Sequence, residues 1–315
     1  MFVIVFLYEN FRLSTIPFAW WSWLLILFAD DFCYYWAHRM GHEIRFFWAS
    51  HIVHHSSQKY NLSTALRQTW TGGFFSFIFY LILPIIGFHP LMIFTQMSIG
   101  LLYQYWIHTE LIYKMPRWFE TIFNTPSHHR VHHGSNPLYL DRNHAGIFIV
   151  WDKLFGTFQE ELPEIAPVYG ISRPARTWNP IKINFQHVLL LVQDAWHADK
   201  WEDKLKIWFM PTGWRPADMM EKYPLKKIED VYAFEKYDPP SSPGIRTWSM
   251  IQLVFLLLFI SYLFGNLAPI GSPGIFLYGL FIFLYIPSIN FFLIFMNFTN
   301  IKRQNSTFTW YTFFI

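Results

Sequence analysis

The 315-residue chain has one cysteine, Cys33, which excludes a disulfide scaffold. Charge is also scarce. Only 14% of residues are Asp, Glu, Lys or Arg, whereas soluble domains carry about a quarter, so an ordinary water-soluble globule is not expected. The net charge of +3 and a pI near 8.8 are too weak to argue for a nucleic-acid partner. No Gly-x-Gly-x-x-Gly string is present, so there is no flavin or nicotinamide fingerprint. Internal repeats and low-complexity stretches are missing too. The apolar run Phe2–Tyr8 lacks a basic lead and is too short for a signal h-region; it reads as the end of a membrane helix whose beginning is absent.

Apolar and aromatic residues fill the space that charge leaves. Hydrophobic residues are 53% and aromatic ones 22% of the chain, with 35 Phe, 17 Tyr and 16 Trp, a composition suited to lipid contact and interfacial anchoring. Three blocks read as membrane segments. Phe18–Phe28 is almost wholly apolar and runs into polar Asp30 and Asp31. Phe74 to Phe94, broken at Pro84 and at Gly87-Phe88-His89-Pro90, precedes Ile93–Ile107, and the two legs predict a hairpin that dips through a bilayer and returns. Trp248–Phe264 and Ile275–Phe298, the latter split by Pro287, form the third. Residues 110–245 are more polar, rich in proline turns and in Lys and Arg, and by the positive-inside tendency face the cytosol. Within that region, Gly146–Phe155 and Phe185–Trp196 read as interfacial or bundle-packing helices. The expected fold is an all-α, polytopic integral membrane protein with a histidine-ligated dimetal site on a cytosolic helical cap. Residues 1–245 would be the catalytic membrane domain with its cap, and 246–315 C-terminal transmembrane segments.

The 14 histidines need an explanation that lipid contact does not supply. His38 and His42 stand four apart, on one helix face. His51-Ile52-Val53-His54-His55 places position 51 on a face with both 54 and 55, and the pattern recurs at His129, His132 and His133. One histidine pair is weak evidence, but two HxxHH strings and an HxxxH supply eight imidazoles at helical spacing. That points to metal, and to two ions, since zinc takes four ligands and iron six at most. Spacing does not choose the element, because imidazole suits Fe, Zn, Cu and Ni; an all-nitrogen pair with open positions favours oxygen chemistry at iron. The hairpin returns the chain to the same membrane face, so His108 is a ninth candidate ligand. Glu43 and Asp31 are candidates to orient a ligand imidazole, as carboxylates commonly do. His128 and His144 fit either a ligand or a supporting role, whereas His89, His187 and His197 read as structural. Asn61-Leu62-Ser63 matches a glycosylation sequon but follows the second histidine string, so it should face the cytosol unmodified.

Asp31–Glu43, His54-His55-Ser56-Ser57, Tyr60–Gln68, Trp106–Glu110, Asn124–Gly134 and Trp151–Phe158 together resemble the integral-membrane fatty acid hydroxylase/sterol desaturase superfamily, and within it the ether-lipid monooxygenases. The likeness runs from about residue 8 to 215 and is poor in the C-terminal block. Relatives have a further membrane segment before Glu9–Leu13, which implies a truncated N-terminus here. The resemblance implies a diiron centre, tetrahydrobiopterin as reductant, O2 and a 1-O-alkylglycerol or lyso-alkyl lipid as substrates, and an endoplasmic reticulum membrane with the histidines facing the cytosol. Two alternatives stay open: a cytochrome b5-fed fatty-acid or sterol hydroxylase/desaturase, and a non-enzymatic metal-binding membrane protein.

Overall fold

The computed structural model describes residues 2–285 apart from 234, 239, 240 and 283. The described residues are helical with no strand, and two isolated bridges, Ile44 with Pro211 and Gly134 with Tyr169, are the only β pairings among them. The chain divides into two compact units, Met1–Ala175 with Asn184–Lys236 and Arg176–Ile183 with Tyr237–Ile315.

In the first unit α1 (Phe2–Phe11) leads into α2 (Trp20–Glu43), the longest helix of the unit. Short helices follow: α3 (Arg45–Trp48), α4 (Ile52–His55), α5 (Leu62–Leu66) and α6 (Gly72–Ser76). A 3-10 turn at Phe77–Tyr80 and α7 (Ile82–Ile86) lead to α8 (Pro90–Trp106). The hairpin expected over 74–107 is therefore asymmetric. Its return leg is one continuous helix, and its outward leg is three short pieces. The physical reason is local: Gly72-Gly73 and Pro84 weaken that leg, and Gly87 turns it at a φ of +120°. A Cβ at Gly87 would run into the Ser14 carbonyl oxygen, so this turn requires glycine. Pro90 then occupies the first turn of α8, where its missing N–H costs nothing, and the His89 side chain accepts from the Leu91 N–H.

Ile4, Ile26, Cys33, Leu83, Met92 and Ile93 join Tyr80 and Phe88 in one buried cluster, which clamps α2 against α7 and α8. The other sides of these helices stay apolar and exposed, through Trp20, Leu24, Leu25 and Phe28 on α2 and Leu91, Ile99 and Leu102 on α8. Exposed apolar side chains in this number fit a lipid or protein surrounding. Past α8 come α9 (Arg117–Ile122), α10 (Pro126–His132), α11 (Val150–Phe155), α12 (Pro180–His197), α13 (Trp201–Phe209) and α14 (Ala217–Lys222). Asn61 caps α5 by accepting from the Ser63 N–H in a capping box with Thr64. That is the structural work of the sequon asparagine.

In the second unit α15 (Pro243–Gly265) is, among the described residues, the one helix long and apolar enough to cross a membrane, with a mean hydropathy of 1.9. A shorter apolar helix, Leu267–Ile282, follows it. The part of the expected Ile275–Phe298 segment beyond residue 285 lies outside the described residues.

Candidate metal centre

The end of α2, α4 with His51 before it, His108 after α8, and α10 with His133 after it meet at one place and carry the nine candidate ligands there. They fall into two groups: His38, His42, His51, His55 and His132 in one, and His54, His108, His129 and His133 in the other. Within each group the ligand nitrogens lie within 4.8 Å of one another. Metal–imidazole bonds are ~2.0–2.1 Å long, so nitrogens across one ion stand about 4 Å apart, and each group has the dimensions of a single ion's shell. The groups also touch, with the His55 and His133 rings stacked at 4.3 Å.

Tautomers are set from outside the cluster. The Nδ1–H of His38 donates to the His144 carbonyl at 2.7 Å, that of His108 to the Gln104 carbonyl at 2.7 Å, and that of His132 to the Arg142 carbonyl at 3.0 Å. These bonds turn the lone pairs on Nε2 inward. There the Nε2 atoms of His38 and His51 are 2.8 Å apart, and that of His108 lies 3.1 Å from His54 and 3.0 Å from His129. The His42 Nε2 is buried with no hydrogen-bond partner. Burial, helped by the neighbouring imidazoles, lowers the pKa of His54 to about 3, and burial alone lowers that of His108 to about 4. Both are neutral at physiological pH, which is the form that binds metal. Packed inward lone pairs repel one another unless a cation lies between them, so the donor set fits two metal ions.

Asp31 and Glu43 stand outside both groups. Glu43 pairs with Arg39 on the same helix at 2.8 Å. Asp31 accepts the backbone N–H of Ile147 at 2.7 Å, that of Phe148 at 2.9 Å and the Trp151 indole N–H at 3.0 Å. Backbone carbonyls orient three of the imidazoles instead. The carboxylate facing a ligand is Asp141, 3.4 Å from His42 Nδ1. A second supporting carboxylate, Asp152, accepts from the His144 and Ala145 N–H groups at 2.7 and 2.8 Å. Neither Asp141 nor Asp152 stands out in the sequence as a site residue, since nothing in the spacing announces a loop that folds back. His144 and His128 belong to neither group. His144 contributes its carbonyl, and its ring lies 5.1 Å from that of His42; His128 packs on Phe158.

A cavity of about 550 Å³ reaches His38, His51, His54, His108 and His129 from among the helices of the first unit. Ala65, Leu66, Met97 and Leu101 give it apolar wall, and Gln68, Gln104 and Asp31 give it polar points.

Histidines gathered in two groups on packed helices make a candidate metal centre, and residues 23–157 match the family model described as fatty acid hydroxylase. That span holds all nine candidate ligands. At the level of individual proteins the chain is similar to alkylglycerol monooxygenase. It is 38% identical to the Homo sapiens protein over 295 residues, covering 92% of this chain and 64% of the relative. It is 40% identical to the Xenopus tropicalis protein over 263 residues, covering 82% and 58%. For the Danio rerio protein the figures are 39% over 258 residues, covering 80% and 56%. The chain thus spans about three fifths of the length of these relatives. No solved structure matches it.

Proposed function

We propose that this chain is a diiron monooxygenase that hydroxylates the ether-linked alkyl carbon of 1-O-alkylglycerol or lyso-alkyl lipids, with tetrahydrobiopterin as the reductant. The observation that carries this reading is the nine-imidazole centre opening on an apolar-walled cavity, joined to the likeness to alkylglycerol monooxygenases. Iron bound by the two groups would supply the activation of O2. The overall change is RCH2–O–R′ + O2 + 2 e− + 2 H+ → RCH(OH)–O–R′ + H2O. The hemiacetal then collapses to a fatty aldehyde and a glycerol derivative.

The chain's own residues do three things in this scheme. Leu66, Met97 and Leu101 bury the alkyl chain at about 0.8 kcal/mol per methylene, which gives affinity but little choice of chain length. The carbonyls of Gln104, Arg142 and His144 hold His108, His132 and His38 with Nε2 inward. Asp31 acts as a positioning residue: with Asp152 it clamps the backbone from residue 144 to 148, which carries the carbonyl that orients His38. The apolar exteriors of α2, α8 and α15 would seat the protein in the endoplasmic reticulum bilayer, with the histidines on the cytosolic side.

The deciding experiment supplies metal-loaded protein and O2 with an alkylglycerol, using tetrahydrobiopterin in one arm and cytochrome b5 with its reductase in the other. Fatty aldehyde in the pterin arm supports the proposal. Turnover only in the cytochrome arm assigns the protein to the fatty-acid or sterol hydroxylase class, and no product in either arm favours a metal-binding role without catalysis.

A further inference from the structure

The metal centre has a second open side. A separate cavity of about 460 Å³ reaches His42, His55, His132 and His133, the four histidines that the bundle cavity does not touch. Its size lies within the ~300–1,000 Å³ of small-molecule sites, and its chemistry differs from that of the first. Arg45, Arg173, Arg215 and Lys227 line it, together with Asp141 and the rings of Trp48 and Trp214. Asp194, fully buried, holds Arg45 at 2.9 Å and Arg215 at 2.8 Å, so one carboxylate serves two guanidinium groups. Arg45 is 2% exposed, yet its Nε and Nη1 have no acceptor. Buried donors left unpaired are costly, and Arg45 lines this cavity, so an acceptor on a molecule bound there would satisfy them. Trp48 lines this space beside the histidines, its ring 5.1 Å from that of His42 and 5.6 Å from that of His55.

We propose that this cavity is the seat of the reductant: a tetrahydropterin lies flat against Trp48 and Trp214 and turns its carbonyl and hydroxyl oxygens toward Arg45 and Arg173. The inference rests on the pterin reading above and adds where the pterin binds and which residues hold it. Each turnover then takes two electrons and two protons from the pterin and two electrons from the C–H bond. One oxygen atom of O2 ends in the hydroxyl and the other in water. Because the two cavities share no histidine, lipid and pterin occupy the protein together without competing.

The test uses the full chain, metal-loaded in detergent, and 7,8-dihydrobiopterin as a probe that does not turn over, read by quenching of tryptophan fluorescence. The expected result is saturable binding whose strength is unchanged by saturating 1-O-hexadecylglycerol. Arg173→Gln should weaken it about tenfold, the worth of a hydrogen bond to a charged group, and Trp214→Phe should weaken it by a smaller factor through the reduced stacking face, with metal content and lipid binding retained. Leu101→Trp, in the bundle cavity, should weaken the lipid and leave the pterin. Competition between lipid and pterin on the unmodified protein overturns the placement, and so does unchanged pterin binding in both variants. No pterin binding at all by the unmodified protein, with turnover supported by cytochrome b5, overturns the reductant reading itself and the placement with it.

Discussion

Asp31→Asn offers a direct test of the view that this carboxylate positions the metal site rather than taking part in proton transfer. Asp31 is 2% exposed and accepts three N–H donors, from Ile147, Phe148 and Trp151, at 2.7 to 3.0 Å. A carboxylate offers two oxygens to three donors, whereas a carboxamide offers one and turns its own N–H2 toward the remainder. The substitution therefore weakens the bonds that survive, which lose their charge, and strands at least one buried donor. Hydrogen bonds to charged groups contribute ~1.5–3 kcal/mol each, and an orphaned buried donor costs ~1–3 kcal/mol; together the loss is about 3 kcal/mol. For a unit of this size each kcal/mol moves the melting temperature by roughly 2–4 °C, so an apparent Tm lowered by about 6–12 °C is expected in detergent. The clamp on residues 144–148 loosens at the same time, His38 loses a fixed acceptor at the His144 carbonyl, and the five-histidine group should bind metal more weakly. A variant that melts within about 2 °C of the parent and keeps its metal, yet has lost turnover, would refute the positioning role and make Asp31 a proton carrier.

Neighbouring histidines should behave differently. His54→Ala should empty the four-histidine group and His55→Ala the five-histidine group, each leaving about half the metal by elemental analysis; loss of both ions from either variant would argue against two separable sites. Arg130, nearly buried, binds Glu161 and the carbonyls of Thr109 and Ile112, and so ties α10 to the strand of chain after His108. Breaking a buried pair of this kind costs ~3–5 kcal/mol, so Arg130→Met should melt far below the parent and lose metal, a result that thermal unfolding with metal analysis reads. For topology, neither Asn61 nor an engineered sequon at Ser135 should be glycosylated in cells, and a glycan at either would place the histidines in the lumen.

The clustering of the histidine strings was legible because helical spacings of three and four put side chains on one face, and His38, His42, His51, His54, His55, His129, His132 and His133 all fall in the two groups. His108 has no such partner nearby in sequence. It was found only through topology, because a hairpin that returns to its starting face must bring its last turn back to the second histidine string. What spacing did not disclose lies in loops. Asp141, Asp152 and the carbonyls of Arg142 and His144 act through backbone that folds back over α2, and loop backbone carries no periodic signal. The outward leg of the hairpin was less regular than hydropathy suggested, since apolar composition says where a segment is buried in lipid or protein and not whether its helix is continuous.

The arrangement also shows what an HxxHH string is for. Position 51 faces both 54 and 55 in a helical projection, yet His51 shares its group with His55, and His54 joins the other. The third string divides the same way: His129 goes with His133, and His132 with the opposite group. The first string, His38 and His42, also stays together. In each case the pair four apart falls in one group. Residues four apart are offset by only about 40° at 3.6 residues per turn, whereas adjacent residues differ by about 100°. An extra histidine beside one member of the pair therefore aims at a second point a few ångströms away. The two strings, on α4 with His51 just before it and on α10 with His133 just after it, each give a pair to one group and a single imidazole to the other, and the exchange is reciprocal. The groups of five and four then follow from adding His38 and His42 to one side and His108 to the other. Two ions bound in these groups would stand at a separation set by the spacing of the two strings, and the proposed reaction of both with one O2 requires such a fixed separation.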